Sequence, residues 1–338
     1  MKLPTLLENA GRNGSRRRLL LMMPVAGAAA SAVAEATRIA QPAATTFTLP
    51  VAPPKVLLVV AHPDDEYYVA ATVYRIASEL GGTVDQVVIT NGEAGFHYSQ
   101  LAERFYGVSL ANERDGRAHL PAIRKEETRR AGRILGIRNH YFLDEQDNRY
   151  GLDAAEALSQ IWKRARIVEF LTTRLEAETY DFVFVLLPRE DTHGHHKAAT
   201  VLALEAVSRL SPERRPVVLG AEPGHSARAA AEFRGLRSFP ATKTVSGAPA
   251  FSFDRTKRFG QDGALRYDIV VNWVIAEHKS QGMFQKECGR HDLERFWLFD
   301  RQQANAQSRV YALSSALLRE ESSPAAASEL KQAASRWA

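Results

Sequence analysis

Val56-Leu57-Leu58-Val59-Val60-Ala61-His62-Pro63-Asp64-Asp65-Glu66 decides how the rest of the chain is read. Six consecutive apolar residues, rich in Val and Leu and preceded by Pro53-Pro54, suit a central parallel strand covered on both faces. Directly after them stand an imidazole and three carboxylates, an expensive place for charge unless a cation or a reaction uses it. Residues 67–80 carry apolar side chains at Val69, Val73, Ile76, Ala77 and Leu80, a 3.6-residue rhythm that predicts a helix ended by Gly81-Gly82. A second apolar run, 84–90, completes a strand–helix–strand unit. Ligands of open parallel sheets bind at the carboxyl ends of the strands, and the charged cluster lies at such an end. The expected fold class is α/β: a Rossmann-like three-layer domain with a mostly parallel central sheet. No Gly-rich turn follows the strand, so nothing lets backbone approach a pyrophosphate, which argues against a nucleotide site.

Capping and the helix dipole favour Asp and Glu in any first helical turn, so the first cluster alone also fits ordinary helix initiation. A second cluster changes the balance. Residues 181–187 (DFVFVLL) form another buried-strand pattern, broken by Pro188 and followed by Asp191-Thr192-His193-Gly194-His195-His196. A helix then runs through Lys197, Val201, Leu202, Leu204 and Val207. Histidines at a helix N-terminus are poorly placed as cations, and neutral imidazoles are what a metal binds. His62, Asp65 and one of the later histidines therefore make a 2-His-1-carboxylate set, which leaves coordination positions open. Zinc hydrolases and non-haem iron oxygenases both use variants of it. The alternation of strands and helices, with Asp64 beside the set as a candidate general base, favours hydrolysis.

The segment AHPDDE (61–66), with His193 and His196 spaced as His-x-x-His, resembles the PIG-L/LmbE family of zinc-dependent N-acetylglucosaminyl deacetylases. NGEAGF (91–96), the helix LPAIRKEETRRAGRILGI (120–137), HYFLD (140–144) and EHKSQ (277–281) extend the likeness over residues 55–285. The resemblance implies Zn2+, or another divalent transition metal such as Fe2+, bound by His62, Asp65 and His196. It implies Asp64 as general base and His193 as general acid or oxyanion partner. One departure matters: His195 precedes His196 where relatives often carry an acidic residue, so His195 competes for the third ligand position. The implied substrate is an N-acetylated amino sugar or glycoconjugate. An amidase acting on another small amide, or a non-catalytic metal-containing carbohydrate-binding protein, are the alternatives.

Weaker candidates surround these. Arg124 is a candidate substrate contact, although with Glu127 three residues on it also fits a surface ion pair. Asp147, after the strand Tyr141-Phe142-Leu143, is a candidate for sugar hydroxyls, and His278 for closing the pocket. Asn91, Glu93 and Gly95 follow the second strand and fit the same mouth or an ordinary turn. No Ser elbow is present, and the one cysteine, Cys288, rules out an internal disulfide.

Ser15-Arg16-Arg17-Arg18 precedes an apolar stretch, 19–32, too short to span a membrane and ending in Ala30-Ser31-Ala32. Residues 1–32 thus read as a twin-arginine signal, with export to the periplasm or beyond. They carry +4 of the chain's net +5, so the remainder is nearly neutral and makes no case for nucleic acid. Residues 33–54 read as an Ala/Thr/Pro linker, 55–300 as the deacetylase-like domain and 301–338 as a peripheral C-terminal segment. Residues 97–120 lack a clean period and suggest an irregular lid; 221–266 are likewise irregular. Nothing in the sequence sets an oligomeric state or calls for a transmembrane span in the mature chain.

Overall fold

The computed structural model describes residues 52–260, 263–281 and 291–319. The expected signal (1–32), the linker up to residue 51, Cys288 and the chain beyond 319 lie outside the described residues. The strands are β1 (Lys55–Val60), β2 (Thr83–Thr90), β3 (Asn139–Glu145), β4 (Phe182–Leu186), β5 (Val217–Gly224), β6 (Phe251–Asp254), β7 (Arg258–Phe259), β8 (Leu265–Arg266) and β9 (Leu293–Leu298). Seven of them form one sheet in the order β3-β2-β1-β4-β5-β9-β6, while β7 and β8 pair separately. β1 to β5 run parallel, and β9 joins antiparallel to both β5 and β6.

The helices are α1 (Ala70–Tyr74), α2 (Gln100–Tyr106), α3 (Glu113–Leu135), α4 (Ala154–Glu156), α5 (Arg164–Ala177), α6 (Gly194–Arg209), α7 (Tyr267–Glu277) and α8 (Ala306–Leu318). Alternation along β1 sends Leu57, Val59 and Ala61 into one core with α4, α5 and α6. Val56, Leu58 and Val60 go into the other, with α1, α3, α7 and α8. That is the expected three-layer arrangement, and it explains why both strand runs are continuously apolar. The order places β1 between β2 and β4, so the chain winds away from β1 in both directions. A crevice opens at such a switch point, outside the carboxyl ends of β1 and β4, and both polar clusters begin there.

Local detail departs from the sequence reading in three places. The helix expected at 67–80 is a 3-10 turn (Asp65–Val69), then α1, then a π turn (Arg75–Glu79). Residues 97–120 are largely helical: α2 lies within them and α3 begins at Glu113, running through Pro121. A small core of Ala102, Leu110 and Leu120 organises this stretch, a tertiary cluster with no period to betray it. Finally, α8 is more than peripheral, because Val310, Leu313 and Leu317 are buried in the second core.

Candidate metal centre and cleft

β1 ends in a turn that Asp65 closes on itself. Its Oδ2 accepts from the backbone N–H of Ala61 (3.0 Å) and of His62 (2.8 Å). This fixes the carboxylate against the strand end and leaves Oδ1 facing outward. Asp64 sits beside it with φ 96°, a left-handed conformation that costs a non-glycine residue about 1–3 kcal/mol. The strain sets Asp64, half-buried, on the wall of the cleft next to His62 and Asp65.

The second cluster is delivered by the start of α6. Gly194 allows it: its N–H bonds the carbonyl of Gly151 at 2.7 Å, and a Cβ there would lie 2.4 Å from the Asp153 carbonyl oxygen. His193, just before the helix, stacks between Tyr150 (centroids 4.9 Å) and His62 (5.0 Å). Its Nε2 lies 3.2 Å from the Arg149 carbonyl. A carbonyl only accepts, so Nε2 carries the proton and Nδ1 keeps a lone pair.

Three donors meet at the crevice. His62 Nδ1 and His196 Nε2 are 3.1 Å apart, His196 Nε2 and Asp65 Oδ1 3.1 Å, and His62 Nδ1 and Asp65 Oδ2 3.6 Å. Tetrahedral zinc with bonds near 2.0–2.1 Å needs its ligands about 3.4 Å apart. The His62 Nδ1–His196 Nε2 and His196 Nε2–Asp65 Oδ1 separations come close to that, while the Asp65 oxygen nearest His62 is Oδ2, the one held by the backbone. His195 does not join this triangle; its Nδ1 is 3.2 Å from the opposite nitrogen of His62, Nε2. Asp147 lies on that same side, 3.3 Å from His195 Nδ1 and 4.0 Å from His62 Nε2. His62, Asp147 and His195 make a second group of convergent donors, and His193 is also within reach of His62 and His196.

The local field suits a cation. Burial works against charge on His62, yet Asp65, Asp147 and Asp64 outweigh it and push the imidazole up to about 9. Burial would raise Asp65, but His196 and His62 hold it well below the usual carboxylate range. Asp64 goes the other way: burial first, then Asp65, push it up to about 7 against the pull of His278 and His62. Two adjacent carboxylates thus diverge, one kept ionised and one poised near neutrality. Burial and the surrounding histidines push His193 down to about 3, so its imidazole is neutral, as expected at a helix start.

The weaker candidates lie around this centre in other postures. Arg124 lines the cleft, but its guanidinium donates to the carbonyls of Gly92 and Gly95 and to Ser280 Oγ. Neither Arg124 nor Glu127 is a surface residue; both are buried, and Glu127 accepts from Tyr106 and from the N–H and hydroxyl of Ser280. Asp147 is buried as well, its Oδ2 accepting from Ala94 N–H. Glu93 returns the bond to the Asp147 N–H, so the loops after β2 and β3 lock together. Asn91 is buried, and Gly95 lines the cleft. His278 pairs with buried Glu66 at 2.5 Å; burial opposes charge, but Glu66 and Asp64 push it up to about 9. The cleft, about 350 Å³, adds Tyr67, Tyr68, Tyr98 and Tyr150, aromatics that sequence spacing did not single out.

The family model described as PIG-L, GlcNAc-PI de-N-acetylase, matches residues 57–207. Residues 57–207 carry a PIG-L family domain. Both polar clusters fall inside it. A curated relative from Bacillus cereus, named "Probable N-acetyl-alpha-D-glucosaminyl L-malate deacetylase 2", is 28% identical over 170 residues, 48% of this chain and 65% of that protein. The chain therefore spans just under two thirds of that relative's length. Among solved structures, N,N'-diacetylchitobiose deacetylase from Pyrococcus horikoshii is 20% identical, with TM-score 0.46, covering 73% of this chain and 84% of that one. The 4-carboxy-2-hydroxymuconate hydratase GalB from Pseudomonas putida KT2440 is 15% identical, with TM-score 0.40, covering 72% and 95%.

Proposed function

We propose that this chain is a metal-dependent deacetylase that hydrolyses the N-acetyl group of an N-acetylglucosamine-type sugar or glycoconjugate. The observation that carries the reading is Asp64, set in a left-handed conformation on the cleft wall beside the His62, Asp65 and His196 donors. A binding protein has no use for a strained carboxylate there, whereas an enzyme can use it as a general base. The PIG-L domain and a relative named as a deacetylase support the same reading.

His62, Asp65 and His196 would hold zinc, or Fe2+ in the same donor set. When bound, such an ion polarises an amide carbonyl and acidifies a water. Asp64 takes a proton from the attacking water and, as the tetrahedral adduct collapses, returns it to the departing amine. His193 enters as a neutral imidazole, its Nε2–H tied to Arg149, so its Nδ1 lone pair accepts from a substrate N–H or O–H in place of the general-acid or oxyanion role that the resemblance implies. Arg124 shapes the wall through the Gly92 and Gly95 carbonyls. Glu66 and His278 brace the turn behind Asp64, since Glu66 also accepts from the Asp64 N–H at 3.2 Å. Among the described residues, no helix is long and apolar enough to cross a membrane. The export route belongs to the same proposal; replacing Arg16 and Arg17 by Lys should retain the full chain in the cytoplasm on fractionation.

The test is metal analysis together with acetate release from N-acetylated sugars, for wild type and Asp64→Asn. About one zinc per chain is expected in both, with turnover reduced on the order of hundredfold or more in the variant. Normal turnover by Asp64→Asn would remove the base, and a metal-free wild type after gentle purification would remove the centre.

A further inference from the structure

His62 is useful to a metal only if one particular nitrogen is unprotonated. Its Nδ1 faces His196 Nε2 and Asp65, while its Nε2 faces His195 Nδ1 at 3.2 Å. Which nitrogen keeps the proton follows from a chain of hydrogen bonds beginning away from the site. Glu156 Oε1 accepts from Arg149 at 2.8 Å and from Asn148 Nδ2 at 3.2 Å. A carboxylate only accepts in this arrangement, so the Asn148 amide is oriented with Oδ1 pointing the other way. That oxygen lies 3.0 Å from His195 Nε2. An amide oxygen also only accepts, so His195 carries its proton on Nε2 and presents an Nδ1 lone pair to His62. Asp147 Oδ1, 3.3 Å from the same Nδ1, is the competing acceptor for that proton, and it stands farther off than the Asn148 oxygen at 3.0 Å from Nε2. The partner left for the lone pair is a proton on His62 Nε2.

We propose that Glu156, Asn148 and His195 act as a positioning relay: they hold the His62 proton on Nε2 and thereby turn its Nδ1 lone pair to the metal. The inference rests on the metal-centre reading above. It gives His195 a purpose that is not ligation. Asp147 Oδ1, 4.0 Å from His62 Nε2, adds negative potential behind the same proton and raises the ring's strength as a ligand. The relay is held in place by Arg117, which donates to the backbone carbonyls of Asp147 (2.8 Å) and Asn148 (2.7 Å). Both Asn148 and Glu156 come from the segment between β3 and the turn after α4, which no metal-ligand spacing marks.

The experiment reads metal, not turnover. Zinc dissociation constants are measured by chelator competition for wild type, Asn148→Leu, His195→Leu and His195→Gln. Loss of an outer partner should weaken zinc about 10- to 100-fold in both leucine variants. Gln offers one acceptor and one donor in place of the imidazole, so His195→Gln should stay within about threefold of wild type. Nitrogen-15 histidine spectra of zinc-loaded wild type and His195→Gln should show His62 bound through Nδ1 with its proton on Nε2. Unchanged affinity in both leucine variants overturns the relay, as does zinc bound to His62 Nε2 on the Asp147 and His195 side. Should the leucine variants fail to fold, the spectra alone still decide. A chain that binds zinc with the expected tautomer yet releases no acetate leaves the relay standing and removes the deacetylase reading.

Discussion

Glu294 offers the sharpest test of how the fold supports the site. It lies on β9, fully buried, and pairs with equally buried Arg255 at 3.0 Å. Its Oε1 also accepts from the Ala71 N–H (2.8 Å) and its Oε2 from the Thr72 N–H (2.9 Å). These are donors in the first turn of α1 that have no partner within the helix, and a carboxylate there also meets the positive end of the dipole. Arg255 in turn donates to the carbonyls of Tyr67 (2.5 Å) and Tyr68 (3.2 Å), in the turn that follows Asp64 and Asp65. One ion pair therefore fastens both ends of the segment that shapes the metal centre.

Glu294→Met would strand a buried guanidinium, which costs about 3–5 kcal/mol, and orphan two backbone donors besides. These losses share partners and do not simply add, so the expected total is about 4–6 kcal/mol. That is a large part of the 5–15 kcal/mol by which domains are typically stable. At roughly 2–4 °C per kcal/mol for a chain of this size, the melting temperature should fall by about 10 °C or more. Urea denaturation followed by tryptophan fluorescence, with calorimetry, measures both. Adding Arg255→Met removes the stranded charge and should recover a substantial part of the loss. A fall below about 1 kcal/mol, or a double variant no more stable than Glu294→Met, refutes the reasoning.

Three further outcomes are expected. Burial would raise Asp85, but hydrogen bonds from Arg138, Tyr180 and Asn139 outweigh it and hold its carboxyl below the ordinary range. Because the folded pKa is depressed, that stability is present above the unfolded value of about 4 and is lost as pH falls through the folded one. Asp85→Asn should therefore flatten the acid limb of urea midpoints plotted against pH; parallel limbs would count against the argument. Gly194→Ala sets a methyl against the Asp153 backbone, which has no side-chain freedom to yield. It should cost about 1–3 kcal/mol and weaken zinc binding, and a wild-type melt with wild-type affinity would contradict it. Stripping the metal with dipicolinate should lower thermal stability by about 2.7 kcal/mol for zinc held at a hundred times its dissociation constant, with recovery on zinc addition. Superimposable melts would show that the donors hold no ion.

The strands that place the site were legible because each obeys one rule along its own length. Covered on both faces, β1 and β4 had to be apolar throughout, so the first charge after each marked the strand end. Parallel winding then brought the two ends together without any pairing being visible in the sequence. What stayed hidden depends on partners distant in the chain. Arg124 reads as a substrate contact or a surface ion-pair partner of Glu127 until Gly92, Gly95 and Ser280 converge on it, and nothing in the sequence singles out Glu294 until α1 begins beneath it. His195 is the most instructive case. Residue type and spacing make it the equal of His196, and the two are adjacent on one helix. A helix advances about 100° per residue, however, so neighbours cannot offer the same nitrogen to the same point. His196 meets His62 at Nδ1 and His195 meets it at Nε2, so opposite edges of a single ring separate a ligand from a support. That distinction lives in the positions of atoms and protons, one level below any pattern of residue types.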